Sequence, residues 1–246
     1  MILINIGKVF KMYVQKINND NKYFEQVESI LTYSQSKINE IKAYKKRTGF
    51  LKNSNSKLGK NIYAFDLPAV VSCPDYKECF KTCYANKGTY LWKSAKQSNT
   101  FNYAIAIHDI EYLQAELIKE IIKKKIKNIR IHSSGDFFSK DYFLMWVNIA
   151  NRFQELNIFT YSKAPQIKDF KLPNNFNIIN SFINYKGKKI LNYGSYENLK
   201  PVAKSIKGLI CPITKGQATN NQKLKDLTCS ICKYCITKQK PLFVQH

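Results

Sequence analysis

Acidic side chains are scarce in this chain: 17 aspartates and glutamates stand against 40 lysines and arginines, a net charge of +23 with a pI near 9.6. Arginine is nearly missing as well, with only Arg47, Arg130 and Arg152, so lysine carries the basic excess. AT-rich codon usage accounts for abundant Lys, Asn and Ile, but glutamate codons would survive the same drift, so the acid deficit points to a positive surface for a polyanionic partner. Lysine supplies the sequence-independent phosphate attraction of nucleic-acid binding; so few arginines argue against dense base-edge readout. Long apolar runs are lacking: Met1 to Val14 is interrupted by Asn5, Lys8 and Lys11 with no basic region ahead of it. That excludes a signal peptide and a spanning helix there and predicts a cytoplasmic protein without membrane contact. No GxxxxGK phosphate loop, HExxH motif, internal repeat or long low-complexity tract occurs. Cysteine is absent from the first 72 residues.

What is present suffices for a core. Hydrophobic residues make up 44% and aromatics 13%, which excludes global disorder, and 246 residues suit one domain of generous size. A helix is expected over Lys22 to Lys46, where Phe24, Val27, Ile30, Leu31, Ile38 and Ile41 recur at helical spacing. It forms part of an N-terminal extension, 1–52, set apart from a core at 53–210 and a cysteine-rich segment at 211–246. The run IYAFDLPAVV reads as a buried strand ended by Pro68, followed by a long helix from Ser94 to Lys125 with a stripe of Ile110, Leu113, Leu117 and Ile121. Strands are then expected at Asn128 to His132, Ile158 to Tyr161 and Asn177 to Ile183, with a helix capped by Ser139 between the first two and a weak helix at Tyr196 to Ile206. This alternation predicts an α/β fold with parallel strands and crossover helices, whose ligands sit at the carboxyl ends of the strands.

All seven cysteines fall in two groups, and metal binding explains them better than disulfides in a chain that is neither short nor visibly secreted. The second group, Cys211-Pro212 with Cys229-x2-Cys232-x2-Cys235, follows the ligand logic of a [4Fe–4S] cluster. Structural zinc and bystander thiols are the alternatives. The first group, Cys73-x5-Cys79-x3-Cys83, could hold three irons and leave the fourth open; zinc completed by a histidine, best His132 among His108, His132 and His246, or a cluster shared with the second group would also use it. The turn after the second expected strand, His132-Ser133-Ser134-Gly135-Asp136, offers acceptors for an ammonium group, against a plain helix-entry turn that satisfies backbone amides. Lys163, ending the next strand, could meet a carboxylate or phosphate, or be a solvated lysine; Tyr84, Trp92 and Asn99 could line the cleft, or be core.

The combination NSKLGKNIYAFDLPAVVSCP, CYANKG, RIHSSGDFFSKDYFLMW, FTYSK, LPNN and the closing cysteine pattern resembles the phage gene product 88 family, over Asn53 to His246. That family in turn looks distantly similar to radical S-adenosylmethionine enzymes. The resemblance implies a partial (β/α) barrel in which Cys73, Cys79 and Cys83 hold a cluster with an open iron and Ser133 to Asp136 hold the methionine amino group of S-adenosylmethionine. Cys211, Cys229, Cys232 and Cys235 would hold an auxiliary cluster. The first-group spacing, C-x5-C-x3-C, departs from the usual C-x3-C-x2-C. Two functions follow: an iron–sulfur enzyme acting on nucleic acid or nucleotide in a host cytoplasm, or a metal-braced protein that binds nucleic acid without catalysis.

Overall fold

The computed structural model describes residues 29–53, 57–74, 83–164, 167, 170–186, 188–191, 193–194, 196–205, 209–237 and 242–244. The expected helix over Lys22 to Lys46 begins later, as α1 (Gln35–Thr48), after a 3-10 turn at Ser29–Thr32; 22–28 lie outside the described residues. Ser34 starts α1 by accepting from the Lys37 N–H (3.2 Å), and Gly49, at φ 78, ends it. Ile30, Ile38, Ile41, Phe50 and Leu51 share one apolar core with the sheet, so the described part of 1–52 is built into the same body.

The central sheet runs in the order β1 (Lys52–Asn53), β2 (Tyr63–Phe65), β3 (Asn128–Ile131), β4 (Asn157–Ser162) and β5 (Phe176–Asn180). β2 to β5 are parallel and β1 is an antiparallel edge. The chain is thus mixed α/β with a mostly parallel five-stranded sheet. Neighbouring strands follow one another in chain order, so right-handed crossovers stack their helices on the same face. There Phe65, Ile129, Ile131, Ile158 and Phe176 meet α2 (Lys93–His108), α3 (Ile110–Lys123) and α4 (Lys140–Arg152) through Tyr103, Leu117, Phe143 and Trp146. Each such buried side chain contributes about 1.5–3 kcal/mol.

The single helix expected from Ser94 to Lys125 is two helices. Asp109 leaves helical geometry (φ −155°, ψ 74°), caps α3 by accepting from the Tyr112 N–H (3.0 Å), and forms an ion pair with Lys42 of α1. The strand expected at Asn177 to Ile183 is also divided: the Ser181 N–H turns to the Ser162 carbonyl (2.9 Å), and β6 (Phe182–Tyr185) pairs antiparallel with β7 (Lys188–Leu191) in a separate two-stranded sheet. β8 (Tyr193–Gly194), α5 (Tyr196–Ser205), α6 (Pro212–Ala218), α7 (Gln222–Lys225), α8 (Cys229–Cys232) and β9 (Phe243–Val244) complete the described α-helices and strands, and two 3-10 turns, Tyr84–Asn86 and Gly88–Leu91, precede α2. No helix among the described residues is long and apolar enough to cross a membrane.

Lys45 is drawn fully into the core, its Nζ donating to the Gly49 carbonyl (3.1 Å) and Ser98 Oγ (3.3 Å). Burial, reinforced by the charge of Lys52 and opposed by Glu120, lowers its pKa from 10.5 to about 7. In the unfolded chain the amine titrates near the ordinary value, so this group adds stability as pH rises from about 7 to 10.5 and withdraws it as pH falls back. Lys45→Met is therefore expected to raise stability at pH 7 by on the order of 1 kcal/mol or more, with the gain fading at alkaline pH. Denaturant melts at both pH values measure it; equal stability at pH 7 would show that the hydrogen bonds offset the burial.

Candidate metal centre and adjoining pocket

The face of the sheet opposite the helices is covered by the C-terminal cysteine segment. Ala64, Arg130, Phe159 and Asn177 lie in register across β2 to β5. Against this row pack Leu58, Ile62, Cys229, Cys235 and Ile236. Backbone hydrogen bonds dock the segment: the Cys229 N–H donates to the Lys57 carbonyl (3.0 Å) and the Ser230 N–H to the Leu58 carbonyl (2.9 Å). Asn177 Nδ2 donates to the Cys235 carbonyl (2.6 Å), and Tyr161 Oη lies 2.7 Å from Cys235 Sγ. Cys211, buried, precedes Pro212 at the start of α6, and its N–H bonds the Leu242 carbonyl (2.7 Å).

These four cysteines, spread over the last part of the chain, come into electrostatic reach of one another. Burial raises the Cys229 thiol, with charge on Cys211 and Cys232 adding to the rise; burial and Cys211 raise Cys232. Burial pushes Cys235 up to about 12, with Cys229 and Cys211 contributing and Tyr161 opposing. None of the four is in a disulfide. Such thiols stay protonated unless a cation compensates the thiolates, which is the condition a metal group meets. Among the described residues no three His, Cys, Asp or Glu side chains form a ready-made single-ion site.

Two cations border the set. Arg130 projects from β3 with its guanidinium 5.1 Å from the centre of the Tyr161 ring, and its buried Nε has no hydrogen-bond partner among the described residues. Burial works against its charge, yet Tyr84, Tyr161, Tyr90 and Cys229 raise its pKa above the ordinary arginine value. Lys57 is pulled down by burial and Arg130 and pulled up by Cys211 and Cys229.

The turn after β3 ties strand ends together. His132, at φ 60, directs Nε2 to Tyr142 Oη (2.9 Å) and packs edge-on to Phe137 at 4.6 Å between ring centres. Its Nδ1 has no partner among the described residues, and burial lowers its pKa from 6.5 to about 3, so the imidazole is neutral. Ser134 bonds through its N–H to Asp66 Oδ1 (3.3 Å) and through Oγ to the Leu67 carbonyl (2.8 Å). Gly135, at φ +87, leaves room that a Cβ would lose, at 2.5 Å from Ser72 Oγ. The Asp136 carboxylate, raised by burial, accepts from Ser162 Oγ (2.6 Å), the Lys163 N–H (2.8 Å) and the Phe137 N–H (2.8 Å). In this conformation Ser134 and Asp136 thus use these groups to brace β2, β3 and β4.

Cys73 and Cys83 flank 75–82, and Cys79 and His246 lie outside the described residues. Tyr84 Oη donates to the Ser133 carbonyl (2.5 Å), which joins this loop to the turn, and its ring meets Tyr90 edge-on at 5.8 Å. Tyr90 borders a pocket of about 370 Å³, lined also by Lys52, Asp66, Trp92, Ser94 and Asn99. His108 is elsewhere, with Nε2 2.6 Å from the Ile30 carbonyl. Sequence reasoning named Trp92 and Asn99 but missed Asp66, Lys52 and Arg130. For Asp66 a signal existed: a carboxylate directly after a buried strand and two residues before Pro68 falls at the carboxyl edge of the sheet.

Gly59, at φ +79, lies under the cysteine segment; a Cβ there would stand 2.3 Å from Ser230 Oγ and 2.5 Å from Thr228 Oγ1. Gly59→Ala is expected to lift that segment at a local cost of about 1–3 kcal/mol. Hydrogen exchange would show faster exchange of the Cys229 and Ser230 amides with β3 and β4 still protected; an unchanged pattern would mean the segment is held without this close approach.

The gene product 88 family model matches residues 30–229, beginning ahead of the Asn53 from which the sequence resemblance was drawn. The chain is 25% identical to the Gene 88 protein of Mycobacterium phage D29 over 193 residues, 69% of this chain and 80% of that relative. To the Gene 88 protein of Mycobacterium phage L5 it is 29% identical over 103 residues, 38% of this chain and 43% of that relative. No solved structure matches the chain. With most of its length, from the first described turn into the cysteine triplet, accounted for by one family, the chain belongs to the phage gene product 88 family.

Proposed function

We propose that this protein holds a [4Fe–4S] cluster on Cys211, Cys229, Cys232 and Cys235. The observation that carries the reading is the docking of Cys229 and Cys235 on the helix-free face of the sheet, with Cys211 and Cys232 in electrostatic reach and Arg130 and Lys57 beside them. A cluster ligated by four thiolates is anionic, and the two cations next to it, Arg130 and the partly buried Lys57, offset that charge. A remote Cys211-Pro212 with the evenly spaced triplet Cys229, Cys232 and Cys235 suits the corners of a cubane better than the paired cysteines of a lone zinc. Tyr161 hydrogen-bonded to Cys235 is the type of contact that tunes a cluster from outside its ligand shell.

The wider reading is a radical S-adenosylmethionine-like core, with Cys73, Cys79 and Cys83 at a second cluster. β2 to β5, parallel and adjacent in chain order with helices on one face, support a partial (β/α) barrel as the setting. When bound, such a cluster with an open iron supplies chelation and one-electron cleavage of S-adenosylmethionine. The chain's own part is to hold the site: Tyr84 anchors the first cysteine loop to Ser133, and Asp136 fixes the ends of β3 and β4. The second reading, a metal-braced protein that binds nucleic acid in the host cytoplasm without catalysis, is favoured by the internal hydrogen bonds of Ser134 and Asp136 and by the +23 charge.

Anaerobic purification with iron and acid-labile sulfide analysis tests the cluster. About four irons and four sulfides per chain are expected for one cluster and about eight of each for two; zinc without sulfide overturns the proposal. Electron paramagnetic resonance of the reduced protein separates the two readings, since only an open iron changes its spectrum when S-adenosylmethionine is added. Cys232→Ala is expected to lose the cluster on the second group and to expose 209–237 to protease, whereas full iron content would remove Cys232 from the ligand set.

A further inference from the structure

The pocket beside the sheet edge has a composition that the metal chemistry does not require. We propose that it takes one nucleotide of a single-stranded nucleic acid, with the base against Trp92 and its hydrogen-bonding edge toward Asp66 and Lys52. This goes beyond the cluster reading and rests on none of the cysteines.

Trp92 is 65% exposed on the rim, with Tyr84 and Leu91 exposed nearby at 56% and 45%, so one short segment turns large apolar surface to solvent. In a strongly basic protein that pairing is the signature of a stacking platform: aromatic faces hold bases while lysines hold the backbone. Lys87 and Lys93 are exposed on the same segment. Behind them α2 begins at Trp92 without a side-chain cap, and its first ladder bond is the Lys96 N–H to the Trp92 carbonyl (2.9 Å). Its leading N–H groups, at Ser94 and Ala95 on the pocket wall, are of the kind that donate to a phosphate or base oxygen.

The floor supplies the edge recognition. Asp66 is 8% exposed, and Asn102 Nδ2 fixes its backbone by donating to the Asp66 carbonyl (2.9 Å). Lys52 Nζ donates to Asn99 Oδ1 (3.2 Å) and acts electrostatically on Asp66, which lines the same pocket. An acceptor and a donor held side by side complement the adjacent donor and acceptor on the pairing edge of a nucleobase. At about 370 Å³ the space falls in the range of small-ligand pockets. A base still stacked in a duplex cannot reach such a floor, so an unpaired strand is the fitting partner.

The two tryptophans make the test direct, because Trp146 is fully buried and Trp92 is not. The anaerobically purified full chain is titrated with single-stranded homo-oligonucleotides of about twelve residues, with the matching duplex and with mononucleotides, following tryptophan emission. Single strands are expected to quench emission, Trp92→Phe to identify the responding residue, and Trp92→Ala to weaken binding roughly tenfold or more. Asp66→Asn is expected to reorder the preference among the homo-oligonucleotides while leaving the salt dependence of binding unchanged. Wild-type affinity in Trp92→Ala, or duplex bound as tightly as single strand, overturns the proposal. Equal affinity for mononucleotides assigns the pocket to free nucleotide and overturns the strand. Metal content is read separately, so failure here leaves the cluster assignment standing, and the converse holds.

Discussion

A buried guanidinium shapes this protein more than any other single group. Arg130 stands in the middle strand of the sheet, on the face away from the helices, with its Nε unpartnered and no ion pair among the described residues. A cation in such surroundings needs negative charge or polarisable neighbours. It has Tyr84 and Tyr90 from one short segment, Tyr161 from a second part of the chain and the Cys229 thiol from a third. The cysteine segment that covers this face therefore closes an electrostatic gap as well as an apolar one, and a thiolate-bound cluster would complete the balance.

The two faces of the sheet are stabilised by different physics. On the helical face aliphatic and aromatic side chains interlock, as where Phe65 meets Trp146 edge-on at 5.3 Å. On the other face a thin apolar layer of Leu58, Ile62, Ala64 and Phe159 lies beneath polar contacts that are individually modest but reach distant segments. Between the faces, at the carboxyl edge, Asp66, Ser134, Asp136 and Ser162 bond across β2, β3 and β4. This bracing also sets Tyr84, bonded to Ser133, and the pocket wall at Asp66 beside the same edge.

Local pattern carried much of this. Strands β2, β3 and β4 and the Ser139-capped α4 were legible because apolar alternation, Pro68 and a serine cap act over a few residues. Where reading failed, a long-range partner decided. The apolar stripe adjoins Asp109 without a glycine or proline, and the break there joins a local cap, Asp109 on the Tyr112 N–H, to an ion pair with Lys42, 67 residues away. The division of the later strand at Ser181 depends on the Ser162 carbonyl, and residues 29–52 join the core because Glu120 receives the Phe50 and Leu51 N–H groups.

By itself the sequence determined the α/β class, the basic surface, the two cysteine groups and the family, because composition, spacing and periodicity are properties of neighbours along the chain. Only the tertiary structure decided which face the second cysteine group covers, that His132 faces Tyr142 and Phe137, and that Asp66 and Lys52 share a pocket wall. Those outcomes depend on strand register and burial. A one-residue shift in register would send Arg130 to the apolar face, and no local pattern encodes the desolvation that sets its role.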